Sequence, residues 1–335
     1  MKHTDLSRRD QMPASIAWID DPWGISWRIK NLVAGFSPAR TARFLTAYGR
    51  RIRYERPVFV LGAPRSGTTL LFHLLRESGE LASLPGEGHN VWRMYHHPRY
   101  NGWRSDEVAS GEVRLGERRF VNAYFYSWFG AQRFVEKTPE NALRIPYLLD
   151  LFPDAVFICV RRNPCDVISS LIDGWRNPAG RFRSYYVPQD LTIPEYPHRR
   201  RWCFVLVDGW RELASAPLPR IAFTQWRQCV EALASGRELV PAERWLDVPL
   251  ERLRESPGAV LERIAAHAGI EVDDALRATL AALMQAPPNA TSPPAEEKWR
   301  SRNAAELVPL LPDIAAAAPA VGYVIDPGSG SYRVL

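Results

Sequence analysis

The chain has 335 residues, 46% hydrophobic and 24% charged, which excludes a disordered chain and gives length for one large α/β domain with additions or for two modest ones. A formal net charge of +6 suits a polyanionic ligand, but the arginines are scattered and no RNA- or DNA-binding signature accompanies them, so no nucleic-acid partner is expected. Cys159, Cys165, Cys203 and Cys229 show no paired C-x-x-C spacing for zinc or redox work. Met1 to Asp21 is polar, and no stretch approaches ~18 uninterrupted apolar residues; neither a signal peptide nor a membrane span is predicted, and a reduced, cytoplasmic location is the expectation.

Residues 1–55 read as an N-terminal helical extension. From Trp23 to Tyr48, Trp27, Leu32, Val33, Phe36, Phe44 and Leu45 recur at partly helical spacing, broken at Ser37-Pro38. The expectation is a helical pair packed on the main domain, with peripheral membrane contact as the alternative. The main domain, 56–335, opens with Val58 to Leu61, a continuous apolar run of the kind buried on both faces of a parallel sheet. The following helix carries Leu70, Leu71, Leu74 and Leu75 on one face and is expected to stop at Gly79. Phe134 to Glu136 is a short strand, Leu143 to Phe152 a helix with Pro146 near its start, and Ala155 to Val160 another buried strand.

Between about 175 and 201, glycines and prolines prevent long regular elements, the composition of a lid or acceptor loop. The run His198-Arg-Arg-Arg-Trp202 is either a solvated face or a contact for an anionic acceptor. Trp202 to Ala214 and Thr224 to Ser235 read as amphipathic helices, and Trp245 to Pro249 as the final strand. Ser256-Pro257 opens the helix Gly258 to Ala268, another helix follows Asp273, and Pro287 to Pro294 is a proline-rich connector. Strand and helix alternate, as in a parallel sheet whose ligand loops lie at the C-terminal strand ends.

Two strand-turn-helix corners carry the chemistry. In Pro57-Val-Phe-Val-Leu-Gly-Ala-Pro-Arg-Ser-Gly-Thr-Thr-Leu-Leu71, Gly62 and Gly67 are spaced as in a Walker A loop, but Thr68 stands where a nucleoside triphosphatase carries its lysine. The cation is Arg65, inside the loop, and the helix start still offers backbone N–H groups and a positive dipole end to an anion. The second corner is Ala155-Val-Phe-Ile-Cys-Val-Arg-Arg-Asn-Pro-Cys-Asp-Val-Ile-Ser-Ser170.

Together these segments resemble the 5′-phosphosulfate loop and the 3′-phosphate site of the sulfotransferases, which use 3′-phosphoadenosine 5′-phosphosulfate (PAPS) and release PAP. The resemblance covers roughly residues 56 to 325 and implies a P-loop-like parallel β-sheet flanked by helices. It implies that Arg65, Ser66, Gly67, Thr68 and Thr69 hold the phosphosulfate and that Arg162 and Ser170 share the 3′-phosphate. It also implies that no metal is required, positive charge coming from Arg65, Lys137, Arg162 and helix termini.

In Leu84-Pro-Gly-Glu-Gly-His89, Glu87 is the expected general base, as in the protein-tyrosine and many bacterial members, with His89 as the alternative; both face the acceptor if the segment is extended. Lys137, in Glu136-Lys-Thr-Pro-Glu-Asn141, is similar to the lysine that neutralises the transition state in that branch; otherwise it pairs with Glu136 or Glu140 at the surface. Near the C-terminus Lys298, Arg300 and Arg302 are candidates for the basic residue that, by the same resemblance, returns to the nucleotide, with Arg300 the expected contact. The glycine-and-lysine signature of animal cytosolic members is absent, and Leu250 stands where many relatives have a tyrosine, leaving only apolar contact for an adenine.

The function implied is sulfuryl transfer to a hydroxylated acceptor: a glycan, a lipid or a small metabolite. Trp92, Tyr95, Trp103, Tyr124, Tyr126 and Trp128 are either sugar-stacking platforms or core. The alternatives are a P-loop kinase or other nucleotide-binding protein, and a PAP-binding scaffold without turnover.

Overall fold

The computed structural model describes residues 37–50, 52–180, 182–288 and 295–335. Among them eight strands form: β1 Val58–Leu61, β2 Val135–Glu136, β3 Val156–Arg161, β4 Arg183–Tyr186, β5 Arg201–Cys203, β6 Trp245–Pro249, β7 Tyr323–Ile325 and β8 Tyr332–Val334. β1, β2, β3 and β6 make one parallel sheet in the order β2-β1-β3-β6, with Val58 opposite Val135 and Val156. β4–β5 and β7–β8 are separate antiparallel pairs. Trp245–Pro249 is thus the last strand of the main sheet, not of the chain.

Parallel strands need long crossovers, and these supply helices on both faces. α1 (Pro38–Gly49) begins where Ser37 Oγ accepts from the Arg40 N–H, and it lies on α4 (Glu117–Phe129) through Phe44 against Phe120, ring centroids 5.6 Å apart. The predicted break at Ser37-Pro38 is therefore a helix start, whereas Trp27, Leu32, Val33 and Phe36 lie outside the described residues. α2 is Thr68–Arg76, α3 His89–His96, α5 Ile145–Leu151, α6 Pro164–Trp175 and α7 Leu218–Leu239. α8 (Pro257–Ala268) and α9 (Asp274–Gln285) follow the sheet, and α10 is Trp299–Arg302.

The period of two along β1 sends alternate residues to opposite cores. Val58 and Val60 join Leu70, Leu71 and Leu74 of α2, Ile264 of α8 and Leu276 of α9. Phe59 and Leu61 join Trp92 of α3, Phe125 of α4, Tyr147 of α5 and Trp175 of α6. Both sets are almost fully buried, and each such side chain contributes roughly 1.5–3 kcal/mol. The window Ala304–Val321, mean hydropathy 1.4, is long and apolar enough to cross a membrane by length and composition, although the sequence predicted no span. It folds as short helical turns carrying Pro309, Pro312 and Pro319, and Leu307, Leu311, Ile314 and Ala318 bury in the Phe59-side core.

Several expected elements fold differently. Trp202 to Ala214 is not a helix: Trp202, Leu206 and Trp210 recur every four residues, but Phe204 and Gly209 have φ of 59° and 71°, which no helix accommodates. The spacing serves other ends, since the Leu206 N–H donates to Asp106 Oδ2 at 2.7 Å and Trp210 Nε1 to the Trp103 carbonyl at 2.6 Å. α2 ends at Arg76, before Gly79. Ser256 stands at the start of α8 without a side-chain capping bond, whereas Asp273 caps α9 by accepting from the Leu276 N–H at 2.7 Å. Most of the Pro287–Pro294 connector lies outside the described residues.

Gly62 ends β1 where the turn crosses β3. A Cβ there would sit 2.7 Å from the Val160 carbonyl oxygen and 2.8 Å from Cγ2 of Thr68. Gly62→Ala must therefore push the turn off the sheet, at an expected cost of about 1–3 kcal/mol, read as a lowered denaturant midpoint. An unchanged midpoint would mean that this approach is not a constraint.

Candidate active site

The first turn is bound by its own backbone: the Ser66 N–H and hydroxyl both donate to the Ala63 carbonyl, at 3.1 and 2.7 Å. Ser66 is consequently buried and directed into the turn. Arg65 holds φ of 77°, a conformation costly for a side-chain-bearing residue, and Gly67, φ 104°, precedes the first turn of α2 with Thr68 and Thr69. The second turn follows β3: Asn163 Oδ1 accepts from the Cys165 N–H at 3.0 Å and starts α6.

The two turns hold each other. Arg65 Nε donates to Ser170 Oγ at 3.1 Å, and Arg162 Nη1 donates to the Arg65 carbonyl at 3.3 Å. A cavity opens over them, lined among others by Arg65, Thr68, Thr69, Arg162, Ser170 and Lys298. Leu250 also lines it, as apolar surface. Arg162 is braced from behind: Glu251 accepts from the Asn163 N–H at 2.8 Å and from the Tyr323 hydroxyl at 2.6 Å, tying the second turn to the C-terminal hairpin.

A second cavity shares Arg65, Thr68 and Thr69 with the first and is lined on its far side by Glu87, His89, Lys137, Glu140, Phe182 and Phe204. The segment carrying Glu87 is a turn leading into α3, not an extended strand, and a close backbone approach places it. The Gly88 N–H donates to Thr138 Oγ1 at 2.8 Å and to Glu136 Oε1 at 3.2 Å, and a Cβ at Gly88 would lie 2.7 Å from that carboxylate oxygen. Glu87 thereby meets Lys137: Nζ pairs with Glu87 Oε1 and also donates to Thr69 Oγ1 at 3.1 Å. Lys137 is almost fully buried and its partner is Glu87, not Glu136 or Glu140. Glu136 instead accepts from Asn141 Nδ2 at 2.7 Å, and burial raises its pKa.

Glu87 Oε2 lies 2.7 Å from His89 Nε2, whose Nδ1 lies 3.1 Å from Glu140 Oε1. Burial works to raise the Glu87 pKa, but the His89 hydrogen bond and the Lys137 charge outweigh it and bring it to about 2. For His89, burial works against the charged form, while Glu140 and then Glu87 overcome it and push the pKa up to about 9. At neutral pH the pair is carboxylate and imidazolium.

The sequence-predicted residues separate into three groups. Arg65, Gly67, Thr68, Thr69, Arg162 and Ser170 come together at the first cavity, and Glu87, His89 and Lys137 at the second. Ser66 and Arg300 line neither: Arg300 bonds to the Ser329 carbonyl at 2.8 Å and to Glu297 at 2.7 Å on the surface, while Lys298, two residues earlier, lines the first cavity. None of Trp92, Tyr95, Trp103, Tyr124, Tyr126 and Trp128 lines the second cavity; Trp92 is a core residue between Phe59 and Phe125. Its aromatic wall is Phe182 and Phe204, stacked at 5.1 Å, which the sequence did not single out because nothing local marks them. The basic run is likewise elsewhere, with Arg199 and Arg200 on Asp190 and Arg201 over the Tyr186 ring at 4.8 Å. Among the described residues no three His, Cys, Asp or Glu side chains cluster so as to hold a metal ion.

Linkage fixes the sign of the pH dependence. His89 binds its proton more tightly when folded, so its contribution to stability is complete below about pH 6.5 and is lost as pH rises through about 9. Glu87 contributes above about pH 4.5 and loses that contribution as pH falls through about 2. The difference in Tm between the parent and His89→Gln is therefore expected to be largest near pH 6 and to shrink toward zero by about pH 10. A difference constant across that range would show that His89 carries no charge in the folded protein.

Residues 57–223 match the family model described as "Sulfotransferase family". The chain is 32% identical over 140 residues to nodulation protein NoeE of Sinorhizobium fredii, an alignment covering 36% of this chain and 32% of that protein. It is 33% identical over 132 residues to a putative protein-tyrosine sulfotransferase of Caenorhabditis briggsae, covering 36% of this chain and 44% of the relative. The match thus spans less than half the length of either. Sulfotransferase STF9 from Mycobacterium avium, a crystal structure, aligns with a TM-score of 0.45 at 17% identity over 86% of this chain and 91% of that one. A mixed α/β body around a parallel sheet, two strand-to-helix turns brought together at one sheet edge and the matched family model lead to one conclusion: this chain belongs to the sulfotransferase family.

Proposed function

We propose that this protein transfers a sulfuryl group from PAPS to a hydroxyl of a glycan, lipid or small-metabolite acceptor, releasing PAP, with Glu87 as general base. The observation that carries the reading is that the two cavities meet at Arg65, Thr68 and Thr69, with Arg162 and Ser170 on one side and Glu87, His89 and Lys137 on the other. A group transferred between two bound molecules has to cross such a shared wall. The residues fit the donor: Arg162 Nε is buried with no hydrogen-bond partner among the described residues, and a phosphate oxygen would satisfy it. Lys298, rather than Arg300, is the basic residue we assign to the nucleotide from the C-terminal segment.

When bound, PAPS supplies the sulfuryl group and its 5′-phosphate oxygen takes up charge as the S–O bond breaks. Arg65 and the N-terminus of α2 set positive charge at that wall, and the planar guanidinium suits phosphate and sulfate oxygens better than a point charge. Lys137, shared between Thr69 and Glu87, stands where it can turn toward the leaving oxygen. That movement releases Oε1 of Glu87, which takes the acceptor proton while the acceptor oxygen bonds to sulfur; removal of the ammonium also makes the carboxylate more basic. A kinase would place a lysine at the position of Thr68; here the helix start presents two threonines and the cation comes from Arg65.

Calorimetric titration is expected to show tight PAP binding that weakens roughly 10- to 100-fold in Arg162→Ala, the scale of a lost charged hydrogen bond. Unchanged affinity would remove Arg162 from the 3′-phosphate site. With labelled PAPS offered to a panel of glycans, lipids and hydroxylated metabolites, Glu87→Gln is expected to lower kcat by about 10²- to 10⁴-fold on the acceptor that turns over, with PAP affinity kept within about twofold. A full transfer rate in that variant would move the base to His89.

A further inference from the structure

The base is the outer end of a buried charged chain that the transfer step does not by itself use. Glu140 enters from the turn Pro139–Leu143 that follows Lys137 and is 1% exposed. On its Oε1 converge His89 Nδ1 at 3.1 Å, Arg93 Nη2, and the Tyr185 hydroxyl at 3.3 Å. The same hydroxyl donates to Asp106, which is paired with Arg144 at 2.8 Å. Tyr185 in turn lies under the Arg93 guanidinium, 4.3 Å from its ring centre. This framework leaves Glu140 little freedom, and Glu140 is the group that grips His89 from the side away from Glu87.

On the transferase reading above, we propose that Glu140 is a positioning residue for the general base: by holding Nδ1 of His89 it directs Nε2 at Oε2 of Glu87, so that Oε1 is the oxygen presented to the acceptor. The physical need is simple. A carboxylate tethered at neither oxygen rotates about its terminal bond, and a base must keep one lone pair aimed at the hydroxyl it deprotonates. As an imidazolium His89 serves as the tether, Nε2 donating to Glu87 while Nδ1 is held in an ion pair with Glu140 that falls short of hydrogen-bond geometry.

Charge balance makes that state depend on Glu140. Around His89 stand Arg93 on its own helix, Lys137 beyond β2, Arg65 from the first turn and Arg183 from β4, all cations that oppose an imidazolium. Among the described residues two carboxylates line the same cavity, Glu87 and Glu140; Asp106, Arg144 and Tyr185 lie behind Glu140, and His73 lines the adjoining cleft beyond Lys137. Neutralising Glu140 leaves one carboxylate against four cations. His89 then loses its proton near neutrality, and the hold on Glu87 loosens.

The test is Glu140→Gln in the full chain, with two readouts. In ¹⁵N-histidine NMR on the ligand-free protein, His89 is expected to titrate near pH 9 in the parent and to fall by about two pH units or more in the variant. The basic limb of the kcat–pH profile, measured with PAPS, is expected to move down with it while PAP affinity stays within about twofold. A folded variant in which neither moves overturns the proposal. Because Arg93 loses its buried partner in Glu140→Gln, His89→Asn provides an independent check that leaves that pair intact. It is expected to abolish the basic limb and lower kcat roughly tenfold or more, and a limb retained near pH 9 would likewise overturn the proposal. Failure of the parent to bind PAP or to turn over PAPS would count against the transferase reading instead, since the NMR titration judges Glu140 without either.

Discussion

The site rests on a reciprocal clasp between two turns that are far apart in sequence. Arg65 reaches to Ser170 in α6, and Arg162 reaches back to the Arg65 carbonyl, so each strand-to-helix corner fixes a cation of the other. The clasp exists because β1 and β3 are parallel neighbours, with Leu61 opposite Cys159, which ends both strands at one edge of the sheet. It also needs Gly62, whose missing side chain lets the first turn pass over the Val160 carbonyl. Left-handed backbone at Arg65 aims its side chain sideways at Ser170, a strain that the neighbouring contacts sustain.

Cations outnumber carboxylates on both sides of that clasp. On the donor side Arg65, Arg162, Arg254 and Lys298 surround one cavity with Asp166 and Asp173 as the counter-charges. Burial and then its cationic neighbours Arg162 and Arg302 lower the pKa of Lys298, and burial does the same to Arg162 despite Asp166. Both groups hold their charge at a cost that a bound polyanion relieves. In the second cavity Arg65, Arg93, Lys137 and Arg183 face Glu87 and Glu140, so cations outnumber carboxylates there as well. Lys137 stands on the boundary, donating to Thr69, which lines both cavities, and to Glu87 of the second. A single ammonium thus bridges the two cavities.

The legible part of this architecture is the local part. β1, β6 and the two strand-to-helix turns could be read directly because a short apolar run followed by a glycine or Asn-Pro corner carries its own instructions. Glu87, His89 and Lys137 could be located by motif, yet their contacts could not, since the Gly88 backbone bonds to Thr138 and Glu136 span some fifty positions. Glu140 was read only as a surface partner for Lys137, and its burial beneath Tyr185 and Arg93 is purely tertiary. The helix expected over Trp202 to Ala214 failed for the same reason: three apolar residues at helical spacing were recruited by Asp106, Trp103 and the core. Phe182 and Phe204 form the aromatic wall of the second cavity only because β4 pairs with β5, a pairing that the Phe204 N–H on the Phe182 carbonyl at 2.9 Å continues beyond the strands.

The central claim is that one polyanionic donor spans both turns and draws Lys137 away from Glu87. A crystal structure with PAP tests it most directly. The account predicts the 3′-phosphate within hydrogen-bond distance of Arg162 and Ser170, the 5′-phosphate at Arg65 and the first turn of α2, and the Lys137 ammonium on the phosphate instead of on Glu87. PAP bound away from Arg162 and Ser170, or Lys137 still paired with Glu87 when the donor cavity is filled, would contradict it.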